Sequence, residues 1–360
     1  MDRKDEIISA QIDLIRQMTE SNIRRLGEDI WSRAPSADGK KPPSSPDPSP
    51  AKTAGASDGP GKDKKEETPP KENLDDLLSE LDSYIGLGSV KKEVRGLINM
   101  AKVYKMRREH DLPVGDVSLH MVFSGNPGTG KTMIARFMAR VYRSIGLLSK
   151  GQLVECDRGG LVAGYIGQTA IKTTGVLESA LGGVLFIDEA YSLTNKTEND
   201  FGYEAVDTVL KYMEDHRDDI VVIVAGYTEL MEDFINSNPG LRSRFNKYVT
   251  FDDYTGEEMA DIFVFRCEKG CYRVSDDAKA ALGEYFDSVA GEAGEFGNAR
   301  GVRNVFEKIL SAQADRLAAM ETVTKDDLML LTKKDVDEAL GFSIEVTGQE
   351  NTPTEQEENN

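Results

Sequence analysis

The sequence predicts an α/β fold, a parallel sheet with helices on both faces, followed by a small all-helical domain. Three observations carry this. Short apolar runs at 119–124, 153–156, 184–187, 220–225 and 248–251 alternate with helical segments at 133–144, 171–180 and 203–213. Such alternation builds a parallel sheet covered by helices. A glycine-rich turn joins the first run directly to the first of those helices, and after Phe251 the strand signals stop.

Taken in order, residues 1–31 read as an amphipathic N-terminal helix. Ile8, Ile12, Ile15, Leu26 and Ile30 recur at three- and four-residue steps with charges between them, interrupted at Thr19 and Asn22. It serves as a docking or coiled-coil arm, the alternative being a helix packed on its own body. Residues 32–72 are rich in Pro, Ser, Lys and Glu with almost no large apolar side chain. Such a stretch cannot bury enough surface to offset its ordering entropy, so it reads as a disordered tether. Residues 73–251 form the α/β core. Residues 252–342 form the helical domain, where Thr255 with Glu258 makes a capping-box start for a helix to about Gly270. Ser275 opens a second helix, 299–320 is a third and 332–340 a short last one. Residues 343–360 are a polar, acidic tail, expected to be disordered.

Composition narrows the partners. The 360 residues suffice for roughly two domains. A net charge of -19 repels DNA and RNA phosphates, and no dense Lys/Arg run with stacking aromatics offsets it. Nucleic acid is therefore not expected. Three cysteines, Cys156, Cys267 and Cys271, argue against a disulfide framework and fit a reducing compartment. Cys267 and Cys271 lie one helical turn apart, but no His or third Cys joins them, so they read as packing thiols rather than metal ligands. No run of eighteen apolar residues exists, and the N-terminus lacks the apolar core of a signal peptide, so a cytoplasmic chain without a membrane span is expected.

The strongest chemical signal is Gly125, Asn126, Pro127, Gly128, Thr129, Gly130, Lys131 and Thr132, a complete G-x-x-x-x-G-K-[ST]. Glycines let backbone N–H groups converge on phosphate oxygens where a Cβ would block them. Lys131 reaches the β- and γ-phosphates of ATP, and the Thr132 hydroxyl ligates magnesium. The loop follows a strand and opens a helix, which puts phosphate charge at the favourable end of the helix dipole. The second signal is the run 184–187 followed by Asp188 and Glu189. Asp188 emerges beside the loop to hold Mg2+, and Glu189 polarises the attacking water. The acidic pair points to hydrolysis rather than transfer. Asn195, Lys196, Thr197 and Glu198 mimic a guanine-reading motif but carry Glu where Asp is needed, and read as a surface loop.

With these motifs in place, the chain resembles the AAA+ ATPases, P-loop NTPases with a helical lid, and within them the CbxX/CfxQ group. The resemblance covers about 77–340 and rests on Tyr84, Ile85, Gly86 and Leu87, on 120–132, 164–167, 182–191, 225–227 and 238–245, and on Asn298, Ala299 and Arg300. It implies a nucleotide-dependent homo-oligomeric ring, a hexamer, that couples ATP hydrolysis to remodelling or threading a protein client. It implies a trans-acting arginine finger at Arg244, with Arg242 as fallback, and a lid sensor at Arg300, with Arg303 as fallback. It further implies a pore loop of Tyr165, Ile166 and Gly167, and an adenine contact at Ile85 and Gly86. Tyr227 occupies the place where many relatives of the wider family put a small polar residue, and no role is assigned to it. Competing readings are an activase-type remodeller of one metabolic enzyme (Rubisco-activase-like), a nucleic-acid motor or loader, and a non-hydrolysing scaffold.

Overall fold

A computed structural model describes residues 72–113, 118–165, 167–194 and 200–341. The expected N-terminal helix, nearly all of the tether, Ile166, the 195–198 loop and the acidic tail lie outside the described residues.

Two helices that the sequence reading did not single out open the core, α1 (Leu74–Ser83) and α2 (Gly88–Glu109). The Asn73 side chain caps α1 by accepting from the Asp75 amide. α2 starts after Leu87, a left-handed residue with no side-chain cap, so no start signal marks it. It buries Val90, Val94, Leu97, Ile98 and Ala101, a stripe one to two residues wide. The α/β alternation follows: β1 (Met121–Gly125), α3 (Lys131–Ile145), β2 (Leu153–Cys156), α4 (Thr169–Ala180), β3 (Val184–Ile187), α5 (Gly202–Asp215), β4 (Val221–Gly226), α6 (Thr228–Asn236), α7 (Pro239–Arg244) and β5 (Lys247–Phe251).

The five strands pair in parallel in the order β2-β3-β4-β1-β5. Alternate strand residues point to opposite faces. Met121, Phe123, Phe186 and Ile223 therefore pack with α1, α2 and α3, while Val122, Leu185, Val222 and Val224 pack with α4, α5 and α6. The central strands β1, β3 and β4 are buried on both faces, which is why they read as unbroken apolar runs, while the edge strands β2 and β5 are partly exposed. Each fully buried side chain of this size contributes roughly 2 kcal/mol, and Phe123→Ala would cost about 3–5 kcal/mol.

After Phe251 come α8 (Gly256–Lys269), β6 (Arg273–Val274), α9 (Asp276–Val289), α10 (Ala299–Ala318), β7 (Leu330–Leu331) and α11 (Lys333–Leu340). The Thr255–Glu258 capping box is present. The second domain is not purely helical, however, because β6 and β7 pair in parallel. The Ser275 amide donates to the Leu331 carbonyl at 3.0 Å, and Gln313 Nε2 donates to the carbonyls of Asp327, Leu328 and Leu330. Two residues per strand leave no periodicity to read. No described helix is long and apolar enough to cross a membrane.

Candidate functional site

The register brings the two acidic and glycine-rich loops to one edge. β1 and β3 flank β4, with Ser124 beside Gly226 and Ile187 beside Val224. Both strands run in parallel toward the same end of the sheet, where the loop after β1 and the acids after β3 line one cleft of about 260 Å³.

Fully buried β1 delivers the chain into that loop. Gly125 (φ 148), Gly128 (φ 78) and Gly130 (φ 96) all have positive φ. A Cβ at Gly125 would strike the Phe251 carbonyl, and one at Gly128 would strike the Gly297 carbonyl of the lid. Thr129 is buried, its hydroxyl donating to the Asn126 carbonyl at 2.8 Å. Lys131 opens α3 and donates Nζ to the Gly125 and Asn126 carbonyls at 2.7 and 2.8 Å. Burial pushes its ammonium down to about 8, with Arg300 adding to the fall and Asp188 and Asp253 opposing it. The loop thus holds a desolvated cation at its mouth.

Across the cleft, the Asp188 amide donates to the Cys156 carbonyl at 2.9 Å. Asp188 Oδ1 accepts the Glu189 amide at 3.1 Å, and Glu189 takes a left-handed φ of 48. Such a conformation disfavours a residue with a Cβ by about 1–2 kcal/mol. It persists because the buried strand behind it and the Asp188 carboxylate hold it. Thr132, Asp188 and Glu189 all line the cleft with Lys131. Tyr227 also lines it, its ring 6.2 Å from that of Tyr191.

The lid closes the third side through Arg300, Arg303 and Arg266. Arg300 is exposed, while Arg303 Nε donates to Glu307 at 2.7 Å. A polar hinge that the sequence reading overlooked seats the lid. Asn298 is fully buried with φ 52 and ψ -129. Its Oδ1 accepts from the Tyr254 amide at 2.9 Å, and its Nδ2 donates to Asp253 at 2.8 Å and to the Pro127 carbonyl at 3.3 Å. Asp253 in turn accepts from Asn126 at 2.9 and 3.1 Å, and the Ala299 amide donates to the Gly128 carbonyl at 3.2 Å. The three-residue stretch 298–300 was legible as a motif; that its asparagine is the latch was not.

Other expected residues lie elsewhere. Ile85 and Gly86 do not line this cleft; Gly86 (φ 62) lies against Tyr254 and Glu258 at the hinge. Tyr165 is 74% exposed and Gly167 has φ 78, both away from the cleft. Arg244 ends α7 outside its own chain's cleft, 3.2 Å from Glu214 and 3.4 Å from the Gly240 carbonyl. Its backbone carbonyl accepts from the Ser118 hydroxyl. Arg242 is exposed and forms no ion pair with a described residue. Cys267 is buried in the lid, where burial pushes its thiol up to about 12, and Cys271 is exposed.

Residues 121–253 match the family described as ATPase family associated with various cellular activities (AAA), and residues 255–345 match the AAA lid domain. Over 265 residues the chain is 40% identical to stage V sporulation protein K of Bacillus subtilis (strain 168), spanning 73% of this chain and 82% of that one. Over 268 residues it is 42% identical to the chloroplastic ribulose bisphosphate carboxylase/oxygenase activase of Cyanidioschyzon merolae, spanning 74% and 90%. Over 261 residues it is 41% identical to the plasmid protein CbxX of Cupriavidus necator, spanning 72% and 82%. Among solved structures, the FIGL-1 AAA domain superposes with a TM-score of 0.52 at 18% identity, covering 75% of this chain and 90% of that one. A mutant RuvB of Thermotoga maritima does so at 0.50 and 20% identity, covering 72% and 71%.

Proposed function

Because the chain belongs to the AAA ATPase family, alongside stage V sporulation protein K and the CbxX/CfxQ proteins, it is an ATP hydrolase, and we propose that it spends hydrolysis on remodelling or threading a protein client within a nucleotide-dependent ring. The observation that carries this is the single cleft joining the glycine loop, the acidic pair and the lid arginines.

The residues fit a triphosphate and its metal. The loop has backbone where side chains would obstruct anions, and the Lys131 ammonium meets only the loop's own carbonyls among the described residues. Lys131 binds the β- and γ-phosphates, with Gly125 to Thr132 cradling the chain. Thr132 and Asp188 supply hard oxygen ligands for magnesium, which when bound neutralises charge on the phosphates. Asp188 gives one oxygen to the Glu189 amide, leaving the other for this purpose. Glu189 takes a proton from water as its oxygen attacks the γ-phosphorus, and the bond to the bridging oxygen breaks with its electron pair leaving on ADP. The strained backbone of Glu189 supports this role, since such strain persists where a side chain must be aimed. Arg300 reports the γ-phosphate to the lid. Arg244, facing away from its own cleft, serves a neighbour's. Tyr165, exposed between Gly164 and Gly167, grips the client in a central pore. Identities of 40–42% extend alike to sporulation, CbxX and activase relatives, and favour none of their roles here.

The test is a pair of variants. Lys131→Ala should abolish binding of a fluorescent ATP analogue. Glu189→Gln should bind it as wild type does while phosphate release falls by about 100-fold or more. Undiminished turnover in Glu189→Gln would remove that residue from the reaction.

A further inference from the structure

The lid carries an arginine that neither the motifs nor the family resemblance points to. Arg266 lies in the last turn of α8 and lines the same cleft as Lys131 and Arg300, yet it is only 4% exposed. Its Nε is buried without a hydrogen-bond partner, and it forms no ion pair with a described residue. Its guanidinium carbon sits 5.5 Å from the centre of the Phe306 ring. Glu307 attracts it, but the Oε1 of that carboxylate is taken by Arg303. Burial, with Arg303 contributing, lowers its affinity for a proton by more than Glu307 raises it.

A buried cation lacking a counter-ion is a large cost to the fold, and stacking on one ring returns a small part of it. Glu307, the carboxylate that attracts Arg266, is held by Arg303, and Arg266 lines the cleft. The partner that completes it must be anionic and must arrive from that cleft. We propose that Arg266 binds the phosphate chain of the nucleotide from the lid side, the bound anion supplying the counter-ion that this chain withholds. Because α8 packs on α9 and α10 around Phe263, Phe286 and Phe306, a pull on Arg266 draws the lid onto the core. The inference rests on the ATP-site reading and names a further ligand within it.

Calorimetric titration with ADP and with adenosine, together with melting temperatures of the nucleotide-free protein, tests it on wild type, Arg266→Met, Arg266→Lys and Lys131→Ala. Arg266→Met should melt no lower than wild type without nucleotide, because it removes an unpaired buried charge. It should lose about 10- to 100-fold in ADP affinity, the worth of a charge-assisted contact, with adenosine affinity unchanged. Arg266→Lys should recover part of the loss. ADP affinity equal to wild type in Arg266→Met, or an equal loss for adenosine, overturns the proposal. If Arg266→Met melts early, the Lys variant decides: ADP affinity equal to wild type in a folded Arg266→Lys protein that also melts early makes the residue structural and overturns the proposal. Equal ADP binding by wild type and Lys131→Ala instead sinks the ATP-site reading itself.

Discussion

His120 enters β1 with its ring buried, Nδ1 accepting the Val222 amide at 3.0 Å. That bond places the ring's own proton on Nε2 and ties the start of β1 to β4, at the end of the strands opposite the cleft. Burial, and after it Arg244, pushes the imidazole down to about 4. The unfolded chain binds this proton near 6.5, the folded one only near 4, so the contribution to stability is whole above 6.5 and lost as pH falls towards 4. Between pH 7 and pH 5 this amounts to roughly 2 kcal/mol. Urea midpoints at the two pH values should differ accordingly, and His120→Asn, which keeps an acceptor, should flatten the difference. An unchanged slope would assign the acid sensitivity to carboxylates. At this scale the sequence was legible where backbone geometry dictates residue type. Gly125, Gly128, Lys131, Asp188 and Glu189 each answer a local demand, and the cleft gathers them. Asn298 and Asp253 answer partners tens of residues away, and such bonds leave no local pattern.

Among the elements, α10 is the one whose start does most. Its entry residue Asn298 has a backbone conformation suited to glycine, and its side chain bonds Tyr254, Asp253 and Pro127. Asn298→Gly should relieve strain while orphaning the buried Tyr254 amide, for a net loss of roughly 1–3 kcal/mol. Asn298→Ala should lose more, since it suffers both effects. Equal costs by chemical denaturation would mean strain plays no part. The strands emerged from sequence within a residue or two of their observed ends, and β1, β3 and β4 did so because strands buried on both faces are unbroken apolar runs. α1 and α2 escaped for opposite reasons. α1 is short, and α2 is long but rich in charge, with a narrow stripe and no capped start. β6 and β7 are too brief to carry any signal.

At the level of the whole molecule, Arg244, held by Glu214 outside its own cleft, is proposed to serve a neighbouring subunit. Arg244→Ala should leave nucleotide binding intact in each subunit yet depress the activity of mixed assemblies below the weighted mean of the two parents. ATPase rates across mixing ratios check this; a straight line between parents would move the finger to Arg242 or abolish it. Glu214→Gln, which releases Arg244 from its half-exposed carboxylate, should leave isolated stability within about 1 kcal/mol of wild type. In the lone chain that arginine is already engaged by Glu214, so in the proposed ring it would exchange partners: a carboxylate at home for a phosphate next door. An exchange adds little glue. In the proposed ring it would make each seam selective for a loaded neighbour, so that subunits would part company when the nucleotide is spent and regroup around fresh ATP.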